Sequence, residues 1–139
     1  MFGSLFDYAR GGDDWIEGGR GADFIDGDGV MQNNTVGGRD TIFGGQGEDE
    51  ISGDGSLLRD AARGGDDHIF GGADDDVIFG DGRNFANSAQ GGSDRLIGGS
   101  GNDFLVGDAS VFSGNAIGGN DTLIGGNGDD ELFGDADFT

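Results

Sequence analysis

The chain has 139 residues and a formal net charge of −21, with 28 acidic residues against seven basic ones. Only 33% of the residues are apolar, while 34 are glycines, which are costly to order. This composition argues against a conventional globular core and by itself is typical of a disordered chain. The acidic balance also argues against nucleic acid as a partner. No apolar run approaches the roughly 18 residues of a membrane helix, so we expect no membrane insertion.

A repeated block nevertheless organises the whole sequence. Each block opens with a short segment, which reads in order GGDDWIE, GGRDTIF, GGDDHIF, GGSDRLI and GGNDTLI. A nonapeptide follows, which reads GGRGADFID, GGQGEDEIS, GGADDDVIF, GGSGNDFLV and GGNGDDELF. A Gly-Asp corner closes each block, at Gly27, Gly53, Gly80, Gly107 and Gly134. The block starts lie 26, 27, 27 and 27 residues apart. We therefore expect a single domain over residues 1–139, with blocks beginning near residues 11, 37, 64, 91 and 118.

Short strands are predicted in every block. Three residues with an aliphatic centre stand between glycine-rich turns, which predicts a strand whose middle side chain points inward. The inward columns are Ile16, Ile42, Ile69, Leu96 and Leu123 in the short segments, and Ile25, Ile51, Ile78, Leu105 and Leu132 in the nonapeptides. A looser third side is predicted after each corner, at Leu5-Phe6, Val30-Met31, Leu57-Leu58, Phe85 and Val111-Phe112, with the small residues Ala9, Thr35, Ala62, Ala89 and Ala116 near its end.

Stacked repeats of this kind predict an all-β fold, a right-handed parallel β-solenoid or β-roll. The 27-residue spacing indicates about one turn per block and five turns. A competing geometry uses one turn for every two nonapeptides, which would place unlike segments above one another.

Aspartates stack in three columns if the turns are in register. The columns are Asp14, Asp40, Asp67, Asp94 and Asp121 in the short segments, Asp23, Asp49, Asp76, Asp103 and Asp130 in the nonapeptides, and Asp28, Asp54, Asp81, Asp108 and Asp135 at the corners. Carboxylates about 5 Å apart repel by several kcal/mol unless a cation lies between them. Glycine carbonyls beside them add hard oxygen ligands, a donor set that suits calcium. For the corner aspartates a solvated or turn-capping role is equally open.

The nonapeptides resemble the RTX (repeats-in-toxin, hemolysin-type) calcium-binding repeat. GGRGADFID, GGQGEDEIS, GGSGNDFLV and GGNGDDELF match its pattern in full, whereas GGADDDVIF carries Asp74 in place of the third glycine, and the short segments keep only part of it. The resemblance implies a parallel β-roll, secreted by bacteria, in which several Ca²⁺ ions lie between adjacent turns. It assigns these ions to the sixth-place aspartates and to the glycines Gly18, Gly19, Gly21, Gly44, Gly45, Gly47, Gly98, Gly99, Gly101, Gly125, Gly126 and Gly128.

Other conspicuous side chains receive structural interpretations. His68 is predicted to lie on the surface, and Trp15 and Phe24 are predicted to cover the first turn rather than to stack on sugars. A ladder of identical carboxylates offers no unique nucleophile or acid, so we expect no enzyme. The residues after the inward aliphatics form apolar columns at Phe43, Phe70, Ile97 and Ile124, and at Phe79, Val106 and Phe133. These columns are either exposed partner surfaces or tucked back under the corners.

The expected function is that of a secreted calcium-binding structural protein, which folds on calcium outside the cell. Unpaired terminal strands favour pairing with another copy, so the expected partner is the chain itself, joined end to end in an extracellular filament or matrix. The alternative is a monomeric RTX spacer or secretion module from a larger adhesin, toxin or enzyme.

Overall fold

A computed structural model describes residues 11–135, which contain only strands and turns. The first sheet holds β1 (Trp15–Arg20), β3 (Thr41–Gln46), β6 (His68–Ala73), β9 (Arg95–Ser100) and β12 (Thr122–Asn127). The second holds β2 (Phe24–Asp26), β4 (Glu50–Ser52), β7 (Val77–Phe79), β10 (Phe104–Val106) and β13 (Glu131–Phe133). The third holds β5 (Leu57–Leu58), β8 (Asn84–Phe85) and β11 (Val111–Phe112). This part of the chain has no helix with the length and hydropathy to span a bilayer.

Every strand pair is parallel and joins equivalent positions of neighbouring blocks. Ile16 lies beside Ile42 in the first sheet, and Ile51 lies beside Ile78 in the second. The predicted parallel β-solenoid with one turn per block is therefore confirmed. The described residues form five stacked layers, and the chain makes about four turns between the first layer and the last. The competing two-nonapeptide turn is wrong, because paired positions lie 26 or 27 residues apart, as Trp15 and Thr41 or Thr41 and His68 do, and not 18.

Strands of the first sheet are longer than predicted. We expected three residues followed by a glycine turn, but each strand continues through its Gly-Gly pair to a sixth residue. Gly45 pairs in register with Gly19 and Gly72, so the ladder extends beyond the aliphatic triplet. The second glycine bends the strand at positive φ, +120° at Gly45, a conformation that glycine adopts without strain.

One apolar core fills the space between the first two sheets. It consists of the predicted inward aliphatics, which are Ile16, Ile25, Ile42, Ile51, Ile69, Ile78, Leu96 and Leu105. Leu123 is partly buried against them. Leu132 was predicted to point inward but is 42% exposed, because β13 is the outermost strand of its sheet and no described layer covers it.

The third side forms a separate lobe with its own core. Its buried residues are Met31, Leu58, Ala62, Phe85, Ala89 and Ala109, and Thr35 is also buried. The chain leaves the two-sheet roll at the corner and returns at the next short segment, where Gly38 N–H donates to Asp28 Oδ2 at 2.8 Å. We call this closure the neck. Each turn is thus a two-sheet roll with a lobe attached through the neck. The predicted positions Leu5, Phe6 and Ala9 lie outside the described residues.

The two apolar columns have different surroundings. Phe79 and Val106 are buried in one cluster, with Val77, Phe104 and Phe133 packed against it, and Arg83 lies over the Phe79 ring. Phe43 and Phe70 instead lie half-buried on the first sheet, with their rings stacked at 4.8 Å. The tucked-back interpretation therefore holds for the second sheet and the surface interpretation for the first.

Three further side chains were given surface or covering roles from the sequence. His68 is exposed, as predicted. Trp15 is 67% exposed and contacts the Phe43 ring at 5.1 Å, so it packs along the outside of the first sheet. Phe24 is 43% exposed, with the Arg83 guanidinium 5.7 Å from its ring centroid.

Candidate metal centre

The nonapeptide aspartates line one edge of the roll, which we call the outer edge. From Asp49 onward each uses one carboxylate oxygen to join the turns, as when Asp49 Oδ1 accepts the Asp23 N–H at 2.8 Å. The same bond links Asp49 N–H to Asp76, Asp76 N–H to Asp103, and Asp103 N–H to Asp130. The second oxygen, Oδ2, is buried without a hydrogen-bond partner in Asp23, Asp49, Asp76 and Asp103. Each of these aspartates therefore keeps a free ligand atom.

A glycine leaves the space into which that free oxygen points. A methyl group on Gly44 would lie 2.5 Å from Asp49 Oδ2 and 2.6 Å from the Gly71 carbonyl oxygen of the next turn. The same arrangement recurs at Gly18, Gly71 and Gly98. A carboxylate and a carbonyl therefore converge at each layer. Gly71 belongs to the imperfect nonapeptide and was not among the predicted site residues, although its first-place position in the repeat identifies it.

The short-segment aspartates build the same geometry at the neck, which forms the second edge. Asp67 Oδ1 accepts the Asp40 N–H at 2.8 Å, and Asp67 Oδ2 is buried without a partner. A methyl group on Gly53 would collide with Asp67 Oδ2 and with the Gly80 carbonyl oxygen. The sequence analysis missed these corner glycines as site residues, although the recurrence of Gly-Asp in every block was a usable signal. They are Gly27, Gly53, Gly80 and Gly107.

The corner aspartates also lie inside the neck. Asp28 is 2% exposed, and Asp54, Asp81 and Asp108 are fully buried, so the solvated interpretation is wrong for these four residues. Each accepts a hydrogen bond from a short-segment glycine of the following turn, from Gly38, Gly65, Gly92 and Gly119 respectively. Asp135, in the last described turn, is exposed. One carboxylate oxygen from each of Asp108, Asp121 and Asp135 lies within 4.8 Å of the others.

The remaining predicted site glycines shape the backbone. The second- and fourth-place glycines have positive φ, from +106° to +144°, at Gly19, Gly21, Gly45, Gly47, Gly99, Gly101, Gly126 and Gly128. A methyl group on Gly45 or Gly47 would collide with a backbone carbonyl of the preceding turn, not with a carboxylate. Asp74 adopts φ +79° in the place of a fourth-position glycine. The imperfect loop therefore keeps the shape of the others with a side chain in a conformation that favours glycine.

At the first and last described turns the predicted aspartates are more open. Asp14 is exposed, and its N–H donates to Asp40 Oδ1. Asp121 and Asp130 are half-buried and accept from Asp94 N–H and Asp103 N–H.

A comparison with protein-family models identifies the repeat. The model described as RTX calcium-binding nonapeptide repeat (4 copies) matches residues 8–29, 35–56, 61–82, 88–110 and 117–138. The chain belongs to this RTX family. The RTX chain is thus a calcium-binding repeat protein, as the sequence predicted. Searches of curated proteins and of solved structures gave no match.

Electrostatics inside the RTX coil favour a bound cation. Burial raises the pKa of Asp40 and Asp76 to about 7 and the pKa of Asp108 to about 9. Burial likewise holds the pKa well above its usual range in Asp54, Asp67, Asp81 and Asp94. Stacked carboxylates removed from water must either keep protons or face a positive charge.

The donor set fits Ca²⁺. It consists only of carboxylate and carbonyl oxygens, several of the carboxylate oxygens have no hydrogen-bond partner, and glycines leave room beside them. Asp23, Asp49, Asp76 and Asp103 would hold calcium at the outer edge, and Asp40, Asp67 and Asp94 would hold it at the neck. A bound calcium ion would supply the positive charge that these carboxylates need in order to remain ionised.

Proposed function

We propose that this RTX protein is a secreted structural protein that folds on calcium outside the cell and assembles end to end. The observation that carries the proposal is the double row of buried, unpartnered aspartate oxygens between the turns. Without cations these oxygens oppose folding, and with calcium they become its main support. A structural role suits a ladder of equivalent sites better than catalysis does.

Calcium-dependent folding would couple the state of the chain to its surroundings. A chain with net charge −21 repels itself where calcium is scarce, as inside a cell, and remains expanded. At the millimolar calcium found outside cells, ligation would stabilise the coil by mass action. RTX repeats typically occur in secreted proteins, which supports an extracellular location.

End-to-end assembly is supported by the complementary ends of the described coil. Within residues 11–135 the aspartate ladder starts with the carboxylates of Asp14 and Asp23, which accept no ladder bond, and it ends at the N–H groups of Asp121 and Asp130. A second copy stacked in register would place such carboxylates against such N–H groups. In the first sheet, the outermost strands β1 and β12 each pair with a strand on one side only within residues 11–135. Repetition of this heterologous contact would give an open filament.

Sedimentation velocity of the purified chain, in chelator and in a few millimolar calcium, tests both parts. We expect a slow, expanded monomer in chelator and large, fast particles in calcium. A compact monomer in calcium would retain calcium-dependent folding but contradict assembly, and would favour the spacer or secretion module. A compact chain in chelator would contradict the calcium-dependent fold.

A variant separates assembly from folding. Leu132 lies on the outermost strand of the second sheet and is 42% exposed, so Leu132→Arg should block stacking while calcium still compacts the chain. Gln46→Arg introduces the same side chain at an exposed residue on the side of the coil and should assemble normally. Equal assembly of the two variants would contradict an end-to-end contact through β13.

A further inference from the structure

The two edges of the roll differ in their supply of carboxylates. At the outer edge each middle turn contributes one buried aspartate from its nonapeptide. At the neck each turn contributes two, the short-segment aspartate and the corner aspartate, and in the middle turns both are at most 3% exposed. The corner aspartates lie outside the nonapeptides themselves, although the ranges matched by the family model include them.

Oxygens of successive corner aspartates meet in the neck. A methyl group on Gly91 would lie 2.8 Å from Asp81 Oδ2 and would collide with Asp108 Oδ1. Asp81 Oδ2 and Asp108 Oδ2 are fully buried and lack a hydrogen-bond partner. Two carboxylates from neighbouring turns therefore point into one small space, in which Asp108 Oδ1 accepts the Gly119 N–H and Asp81 Oδ2 has no described donor.

A short-segment aspartate lies beside two corner aspartates in one described group. In the last described turn Asp121 lies with Asp108 and Asp135, with one oxygen of each within 4.8 Å of the others. The repeat places Asp94 between Asp81 and Asp108, and Asp67 between Asp54 and Asp81. Burial first, and then the neighbouring carboxylates of Asp94 and Asp54, raise the pKa of Asp81, in agreement with this grouping.

We propose that the neck holds a distinct, tighter class of calcium site, in which two successive corner aspartates and the short-segment aspartate between them bind one ion. The corner glycine carbonyls, such as that of Gly107 beside Asp94 Oδ2, provide further oxygen ligands. Calcium affinity rises with the number of charged ligands in a site. The neck sites should therefore fill before the outer-edge sites, which have one buried carboxylate and one glycine carbonyl per layer.

The order of filling has a structural consequence. The neck is where the chain leaves the roll and returns from the lobe, and its closure depends on the corner carboxylates accepting glycine N–H groups. Ions at the neck would neutralise these carboxylates and fix the start of each new turn. The outer edge would then close between strands that are already aligned. This inference rests on the proposed calcium-dependent fold.

Calcium titration of the metal-free chain by isothermal titration calorimetry provides the test. We expect two classes of site in the wild type, separated by about ten-fold or more in affinity. Asp81→Asn removes one neck charge without changing side-chain shape and should weaken the tight class by about ten-fold or more. Asp76→Asn is the matched outer-edge variant and should weaken only the second class. Native mass spectrometry at low calcium should then show fewer ions on Asp81→Asn than on Asp76→Asn.

Specific results would overturn the proposal. A single class of sites in the wild type contradicts it. This test needs no variant, so it remains valid if Asp81→Asn does not fold. Equal weakening of the same class by both substitutions also contradicts it. Sedimentation of the same samples keeps the two proposals apart: a wild type that compacts and assembles through one class of sites would refute the tighter neck sites and leave the proposed function intact.

Discussion

Gly80 illustrates how closely successive turns approach at the neck. A methyl group at this position would collide with the Gly107 carbonyl oxygen and with Asp94 Oδ2. Gly80→Ala should therefore push apart two atoms that would bind the same ion. We expect a loss of about 1–3 kcal/mol of stability in saturating calcium, the usual cost of overpacking. Urea unfolding followed by circular dichroism measures this loss.

Gly134 is the matched control for this substitution. It is also a corner glycine, but it lies in the last described turn and has nothing within 4 Å of the methyl position. Gly134→Ala should leave the urea midpoint nearly unchanged. If the two alanine variants lose equal stability, the effect arises from glycine-to-alanine replacement in general and not from the close approach at the neck.

Asp74 is the residue at which the sequence departs from the glycine pattern. Its φ of +79° is strained for a residue with a side chain. Asp74→Gly should therefore stabilise the calcium-bound coil, by about 0.5–1 kcal/mol after the greater freedom of glycine in the unfolded chain is included. The urea midpoint in saturating calcium measures the gain.

Asp75→Gly removes the same charge from the neighbouring position, which is absent from the residues with positive φ. Asp75 Oδ1 accepts the Asn102 N–H at 2.7 Å, so this variant should be destabilised. Stabilisation of both variants would show that charge removal, and not relief of backbone strain, produces the gain at Asp74.

At the level of strands, the features that follow from the regular spacing of the blocks could be predicted from the sequence. Ile42 and Ile51 recur at fixed positions in each block, so the inward columns and the parallel register could be predicted from periodicity alone. The continuation of the first-sheet strands could not, because glycine is a poor strand former by propensity. Gly45 extends its strand only because identical backbone lies above and below it.

The site was predicted in part for a related reason. Asp49 and Asp67 were found because stacking in register places equal residues in columns. Their separation into two edges could not be predicted, because it depends on contact between Asp28 and Gly38, which closes the neck across about ten residues. No local sequence pattern predicts which segment of the chain a corner aspartate will contact. The burial of the corner aspartates follows from that same closure.

The lobe formed by the third side provides a prediction at the scale of elements. Phe85 is 1% exposed and contacts the Phe112 ring edge-on at 5.2 Å, within a core separate from that of the roll. Phe85→Ala should cost about 3–5 kcal/mol locally, through lost burial and a cavity. Hydrogen exchange in saturating calcium should show loss of protection in β5, β8 and β11, with smaller changes in the first sheet.

Phe43→Ala serves as the comparison on the other side of the coil. Phe43 is half-buried and stacks on Phe70, so its loss should cost about 1 kcal/mol and leave the protection of the lobe unchanged. Equal loss of protection in all three sheets after Phe85→Ala would contradict the independence of the lobe core.

At the scale of the whole molecule, the folded coil concentrates negative charge where most proteins place apolar groups. The apolar core of the roll and the core of the lobe lie on either side of the neck, and the neck contains buried carboxylates in successive layers. Hydrophobic burial alone is modest in a chain with 34 glycines. The stability of the coil must therefore depend on the charge state of its aspartates, which protons and calcium both control.

This dependence fixes the direction of the pH response in chelator. Burial raises the pKa of Asp40 and Asp76 from 3.8 to about 7 and the pKa of Asp108 to about 9. Between about pH 4 and about pH 9 the folded chain binds more protons than the unfolded chain, so the free energy of unfolding falls as pH rises. The stabilisation is complete below about pH 4 and is lost progressively up to about pH 9.

We therefore expect the metal-free chain to be more compact at pH 5 than at pH 8, as measured by small-angle scattering with a chelator that remains effective at both values. In calcium the chain should instead be more compact at pH 8 than at pH 5, because the ion competes with protons for the same oxygens. The calcium concentration needed for half-maximal folding should then fall as pH rises from 5 to 8. A metal-free chain that expands on acidification would mean that the buried carboxylates are ionised in the folded coil without a cation. In that case their burial would need another source of positive charge.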